Sequence, residues 1–179
     1  MWLATLGFFG GFSATNNLDY DGSMSHGILG VEGQFYTGPV TLYGQAGYQA
    51  LMSNSDEYEP EHVWFLRGVG RYFFDDNDRL QAELGYANAD ARGTTDNFDV
   101  LTWGASWEHR YTGTPFSTGL QYNGFDNERR SNWAQEHVVQ VTFSIHFGEN
   151  TAMDEDRDGA TLDMPNFDRA FAWSYWMGR

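Results

Sequence analysis

The sequence predicts an all-β chain, an eight-stranded antiparallel up-and-down barrel crossing a membrane, and three observations carry the prediction. First, Val139–Phe147 alternates without a break. Val139, Val141, Phe143, Ile145 and Phe147 are large and apolar, and Gln140, Thr142, Ser144 and His146 between them are polar. A period of two belongs to a β-strand, whose successive side chains point to opposite faces. Second, seven earlier segments repeat the pattern. Third, the charged residues sit on one of the two faces, with small or amide-bearing neighbours, while the other face is nearly free of charge.

Taken in order, strand one runs from Trp2 to about Ser13, with Ala4, Leu6, Phe8 and Phe12 on one face. A polar loop, Asn16–Ser25, leads to strand two, His26–Tyr36, where Leu29, Val31 and Phe35 oppose Gly30, Glu32 and Gln34. Thr37-Gly38-Pro39 is a tight turn by composition. Strand three, from Val40, sets Leu42, Ala46 and Tyr48 against Thr41, Gln45 and Gln49. After the acidic loop Met52–Glu61, strand four, Val63–Phe73, sets Trp64, Leu66 and Tyr72 against Arg67 and Arg71. The turn Asp75–Asp78 precedes strand five, with Leu80, Ala82, Leu84 and Tyr86 opposite Gln81, Glu83 and Gly85. A loop of about Asn88–Asn97 follows. Strand six sets Leu101, Trp103, Ala105 and Trp107 against Thr102, Gly104, Ser106 and Glu108. Thr112–Pro115 turns the chain into strand seven, with Phe116, Leu120 and Tyr122 against Ser117, Gly119, Gln121 and Asn123, and the loop Gly124–Glu136 leads to the closing strand. Connections are thus expected to alternate long and short, as in barrels with short periplasmic turns and longer outer loops.

A soluble eight-stranded barrel would put the apolar set inside. Here the charged residues Glu32, Arg67, Arg71, Glu83 and Glu108 share the polar face, so the apolar face is expected to meet lipid, where an Arg or Lys at the midplane costs roughly 2–4 kcal/mol. Aromatics near the strand ends form two expected girdles: Tyr36, Tyr72, Phe116 and Phe147 at one level, and Phe12, Tyr48, Trp64, Tyr86 and Tyr122 at the other. The alternating closing strand ending in Phe, with the seven before it, resembles the small eight-stranded outer-membrane class, the OmpA-type transmembrane domain, over about residues 2–147. That resemblance implies a bacterial outer-membrane location, outer loops exposed to the medium, both ends of the barrel in the periplasm, and contact with lipid and lipopolysaccharide.

Composition narrows the function classes. The 179 residues carry a net charge of −15, all ten basic residues are arginine, and cysteine is absent. Nucleic acid is not an expected partner, because phosphate recognition needs a basic surface, and thiol redox chemistry is excluded. The uncharged start, Met1–Leu18, lacks the basic region of a signal peptide and is read as mature chain whose export signal has gone.

Two domains are expected: a barrel over 1–147, and an acidic linker with an aromatic end over 148–179. The five polar-face charges are expected to form an ion network plugging the lumen of a barrel too narrow for much else. Histidines His26, His62 and His137 fall at outer strand ends and read as solvated rim residues. Arg129-Arg130 is the one basic pair among acidic loops. An enzyme is not expected: Ser25 and His26 are adjacent on a strand, which points them apart. The expected role is structural or interactive, in envelope integrity or as a subunit of a larger envelope assembly. A small channel or a lipid-modifying enzyme is the alternative.

In the tail, Asp154, Asp156, Asp158, Gly159 and Asp163 resemble the start of a calcium loop, with carboxylates alternating around a sharp turn. Pro165 stands where an EF-hand needs its bidentate glutamate. Finally, Asn166–Met177 predicts an amphipathic helix, N-capped by Asn166, whose Phe167, Phe171, Trp173, Tyr175 and Trp176 are expected to dock on a partner protein or the membrane interface.

Overall fold

The computed structural model describes residues 3–16, 23–51, 60–91, 97–129, 132–158 and 167. Eight strands appear in chain order: β1 Leu3–Asn16, β2 Ser23–Thr37, β3 Val40–Leu51, β4 Pro60–Phe73, β5 Asp78–Ala91, β6 Asn97–Arg110, β7 Phe116–Arg129 and β8 Asn132–Ile145. One short helix, α1, Ala152–Asp158, follows. All seven successive pairings are antiparallel and form one sheet in the order β1 to β8.

The expected barrel is not closed: among the described residues β1 and β8 form no ladder. Each formed ladder joins neighbours in sequence, whereas an eighth would join the strands at the chain's two ends. Thr5 on β1 and Gln140 on β8 remain exposed at this seam although both point toward the concave side. The sheet is nevertheless tightly curled. Phe9 of β1 and Phe65 of β4 have ring centroids 6.2 Å apart, where a flat sheet would separate strands three apart by roughly 14 Å.

The two faces follow the period of two. Leu6, Phe8, Leu29, Leu84, Val141 and Phe143 lie exposed on the convex face, while Gln34, Thr41, Gln45, Phe65 and Arg71 are buried on the concave one. Gly38, with φ +54°, lets β2 turn into β3 in two residues. Beyond β8, Gly148 has φ +138°, a conformation open mainly to glycine, and the chain turns back so that α1 lies against the turn end of the concave face.

The strands outrun their expected bounds. Gly124–Glu136, expected as a loop, continues β7 and β8, with Phe125 opposite Glu136 and Arg129 opposite Asn132. Only residues 130 and 131 lie between these strands, so the strict long–short alternation fails at the last connection. Its polar composition suggested a loop, yet the residues still alternate: Phe125 and Asn127 are buried, and Asp126 and Glu128 point the other way. Tyr36, expected in a girdle, is concave and buried, bonded to Gln34.

Candidate functional site

The concave interior is layered. Toward the loop end, Val63, Phe65, Ala87, Ala89, Val100, Phe125 and Phe167 form one apolar cluster with Phe9 and Ile28. Phe167 is 4% exposed, its ring 5.5 Å from that of Phe65. The tail residue expected to dock outside the chain therefore sits inside it. Phe171, Trp173, Tyr175 and Trp176, and the rest of the expected 166–177 helix, lie outside the described residues.

At mid-height, Arg67 pairs with Glu83 at 2.5 Å and takes Gln45 Oε1 at 3.1 Å. Glu32 accepts from Tyr43 at 2.5 Å and Gln45 at 3.4 Å. Nearer the turns, Arg79 pairs with Glu108 at 2.6 Å. All five expected lumen residues thus face inward: Glu32, Arg67, Glu83 and Arg71 are linked through Gln45 and Gln81, Glu108 stands apart with Arg79, and Arg71 also has a partner from outside the strands. It binds Asp156 of α1 at 2.5 Å, with Asp156's side chain fully buried.

α1 forms because Thr151 caps it, its hydroxyl accepting from Asp154 N–H at 3.0 Å, and because Asp154 and Glu155 sit favourably in the first turn. Seven residues make a helix marginal alone, so its contacts hold it. Thr41 donates to Asp156 at 2.6 Å, Arg110 donates to Glu155 at 2.7 Å and to the carbonyl of Thr151 at 3.0 Å, and Arg157 reaches the carbonyl of Gly38. The calcium-like carboxylates are therefore dispersed. Asp154 and Asp158 are exposed, Asp156 belongs to Arg71 and Thr41, and Asp163 lies outside the described residues. No three potential metal ligands converge among the described residues.

A cavity of about 410 Å³ lies under α1, lined among others by Arg71, Arg79, Glu108, His146 and Glu155. Beside it, Ser117 Oγ is 2.8 Å from His146 Nε2, and His146 Nδ1 is 2.9 Å from Glu155. These spacings are those of a serine nucleophile, base and orienting acid. The surroundings argue for a clamp instead. Ser117 is 2% exposed and donates to Glu108 at 2.7 Å, and Glu108 also lies 3.2 Å from His146 Nε2. With carboxylates at both ring nitrogens, the imidazole is placed to donate rather than to accept a proton from serine. Sequence reading missed this cluster because Ser117, His146 and Glu155 share no local pattern; its traces were Glu108, Ser117 and His146, each on the polar face of its strand.

On the convex face, His62 and His137 are each bonded to a tyrosine one strand away: Tyr48–His62 at 2.5 Å and Tyr122–His137 at 2.7 Å. Tyr86 bonds Asp99 in the same diagonal sense, two residues toward the loop end. Three tyrosine rings thus stand at one level with their hydroxyls aimed at the loop side. Near the turn end lie Tyr72, Phe74, Trp107, His109 and Tyr111, with His109 bonded to Asp78 at 2.9 Å. His26 points to the concave side of β2 and Ser25 to the convex, as the adjacency requires. Arg130 lies outside the described residues, as does the side chain of Arg129.

Comparison with protein-family models, curated proteins and solved structures returns no match. Geometry and chemistry alone carry the functional reading.

Proposed function

We propose that the chain is a bacterial outer-membrane protein of structural or interactive role, its sheet crossing the bilayer as a barrel with a plugged lumen. The observation that carries this reading is the convex face. Between the two aromatic levels it presents Leu6, Phe8, Leu29, Val31, Leu42, Leu66, Leu84, Leu101, Leu120, Val141 and Phe143, with no charged side chain on that band of the sequence. An exposed apolar surface of this extent needs a cover, and two aromatic levels flanking it are the girdles of a strand-built membrane span. No helix among the described residues is long and apolar enough to cross a membrane; the proposed crossing is made by strands. Nine to eleven tilted residues suffice for that, and each strand has at least 12.

Within hydrocarbon an open sheet edge is prohibitively costly, so the reading requires β1 and β8 to pair on insertion. Amide exchange in detergent micelles should protect both edge strands. The turn end and α1 face the periplasm and the loop end the medium. The filled interior favours a structural role over the small channel: the apolar cluster closes the loop half, and α1 closes the turn half. Planar bilayers containing the protein are expected to show no steady conductance. The deciding experiment is refolding into detergent: the folded protein should run faster on an unheated gel than after boiling. Unchanged mobility with edge amides that exchange freely would end the membrane reading.

A further inference from the structure

The wall of the concave interior presents two guanidinium groups to the carboxylates of α1. On β4, Arg71 is held in place by Gln81 of β5, which accepts from its Nε at 2.9 Å, and by the Tyr43 ring, 5.5 Å from the guanidinium carbon. Thr41 of β3 adds a hydroxyl donor aimed at the same carboxylate. On β6, Arg110 is 2% exposed and binds Glu155, yet its Nε has no partner among the described residues. Arg71, preset by the wall, lines a cavity of about 410 Å³, and Glu155, the partner of Arg110, lines it too. Guanidinium forks suit carboxylates in geometry as well as charge.

The charge balance points the same way. At this end the walls supply Arg71, Arg79 and Arg110 against Glu108, an excess of two arginines (3 − 1 = 2). α1 brings Asp156 and Glu155, which cancel that excess. Its hold rests on these polar contacts, since Ala152 is its one buried apolar residue.

We propose that the turn-end cavity is a binding site for a small organic dicarboxylate, and that Asp156 and Glu155 of α1 occupy it as a tethered internal substitute. A ligand enters when α1 swings out on Gly148, placing one carboxylate on Arg71 and Thr41 and the other on Arg110. A tethered competitor acts at a high effective concentration, so the apparent affinity of the intact protein is depressed by the fraction of time α1 is docked. This inference stands apart from the membrane reading, because it depends only on the concave wall.

The test is calorimetric titration of the folded, full-length protein with glutarate, and with glutaramide as the uncharged counterpart. Asp156→Asn is expected to bind glutarate roughly tenfold or more tightly than the unaltered protein, and to ignore glutaramide. Adding Arg71→Met should abolish the gain. If Asp156→Asn does not fold, Glu155→Gln carries the same test: Glu155's side chain is 46% exposed, and neutralising it removes the carboxylate bound to Arg110 while the carbonyls of Glu149 and Thr151 stay. A folded variant that binds glutarate no better than the unaltered protein, or binds glutaramide equally well, overturns the proposal.

Discussion

At the turn end the tail holds its place with Asp156 on Arg71 and Glu155 on Arg110; toward the loop end it places Phe167 against Phe65, among Val63, Val100 and Phe125. One segment thus closes two halves of the same interior by opposite chemistry. The ionic half is directional and intolerant of losing one partner, because the survivor is left as an uncompensated buried charge. The apolar half is non-directional and degrades gradually with lost contact area. The comparison teaches that the polar half is the replaceable one: another carboxylate can substitute for Asp156, while nothing small and soluble substitutes for a packed ring.

The largest expected effect breaks the ionic half. Arg71→Ala should lower stability by about 3–5 kcal/mol in denaturant titrations, whereas Arg71→Met combined with Asp156→Leu should restore most of that loss. Failure of the double variant to recover would mean that Arg71 does more than neutralise Asp156. In the apolar half, Phe65→Leu should cost only about 1 kcal/mol, through lost ring contacts with Phe9 and Phe167, with no partner substitution able to rescue it. A loss as large as that of Arg71→Ala would erase the contrast between the halves.

The smallest effect lies outside both, in the turn 74–77. Asp75 accepts the N–H groups of Asn77 and Asp78, each at 2.8 Å. These two bonds hold its carboxyl below the ordinary aspartate range. A depressed carboxyl stabilises the fold above its unfolded pKa, and that contribution is lost as pH falls through the folded value. Carbon-detected titration should therefore show Asp75 protonating at a lower pH than an unstructured aspartate, with a slight loss of stability in acid that Asp75→Ala lacks. An ordinary midpoint would show that the turn does not form as described.

Strand number, strand order and the orientation of nearly every side chain were legible in the sequence, because a period of two survives wherever one face is uniformly apolar. Arg67, Arg71, Glu83 and Glu108 all face the interior as the alternation requires. What failed was local composition used as a loop signal. Asp126, Asn127 and Glu128 looked like loop yet extend β7, since strands that project past the apolar band can carry charge. The open seam left no mark either, because alternation marks the two faces of a strand and not what its edge meets. The site was half legible. Arg67 and Arg71 could be read as inward, and Arg67 meets Glu83 of the expected network, but the carboxylate partner of Arg71 could not be read, since Asp156 meets it across 85 residues of chain. The alternating aspartates suggested a calcium loop; of them Asp156 points inward to Arg71, and Asp163 lies outside the described residues.

The central claim is that the convex face meets lipid and the concave face does not. Because the chain has no cysteine, single cysteines can be spin-labelled along β5–β8 in reconstituted bilayers, and collisions with oxygen compared with those of a water-soluble nickel chelate. Labels at Leu84, Leu101, Leu120 and Val141 should favour oxygen, and labels at Ser106, Gln121 and Thr142 should not, giving a period of two along each strand. Convex labels that meet the nickel chelate as freely as a loop position, with no alternation, would contradict the account.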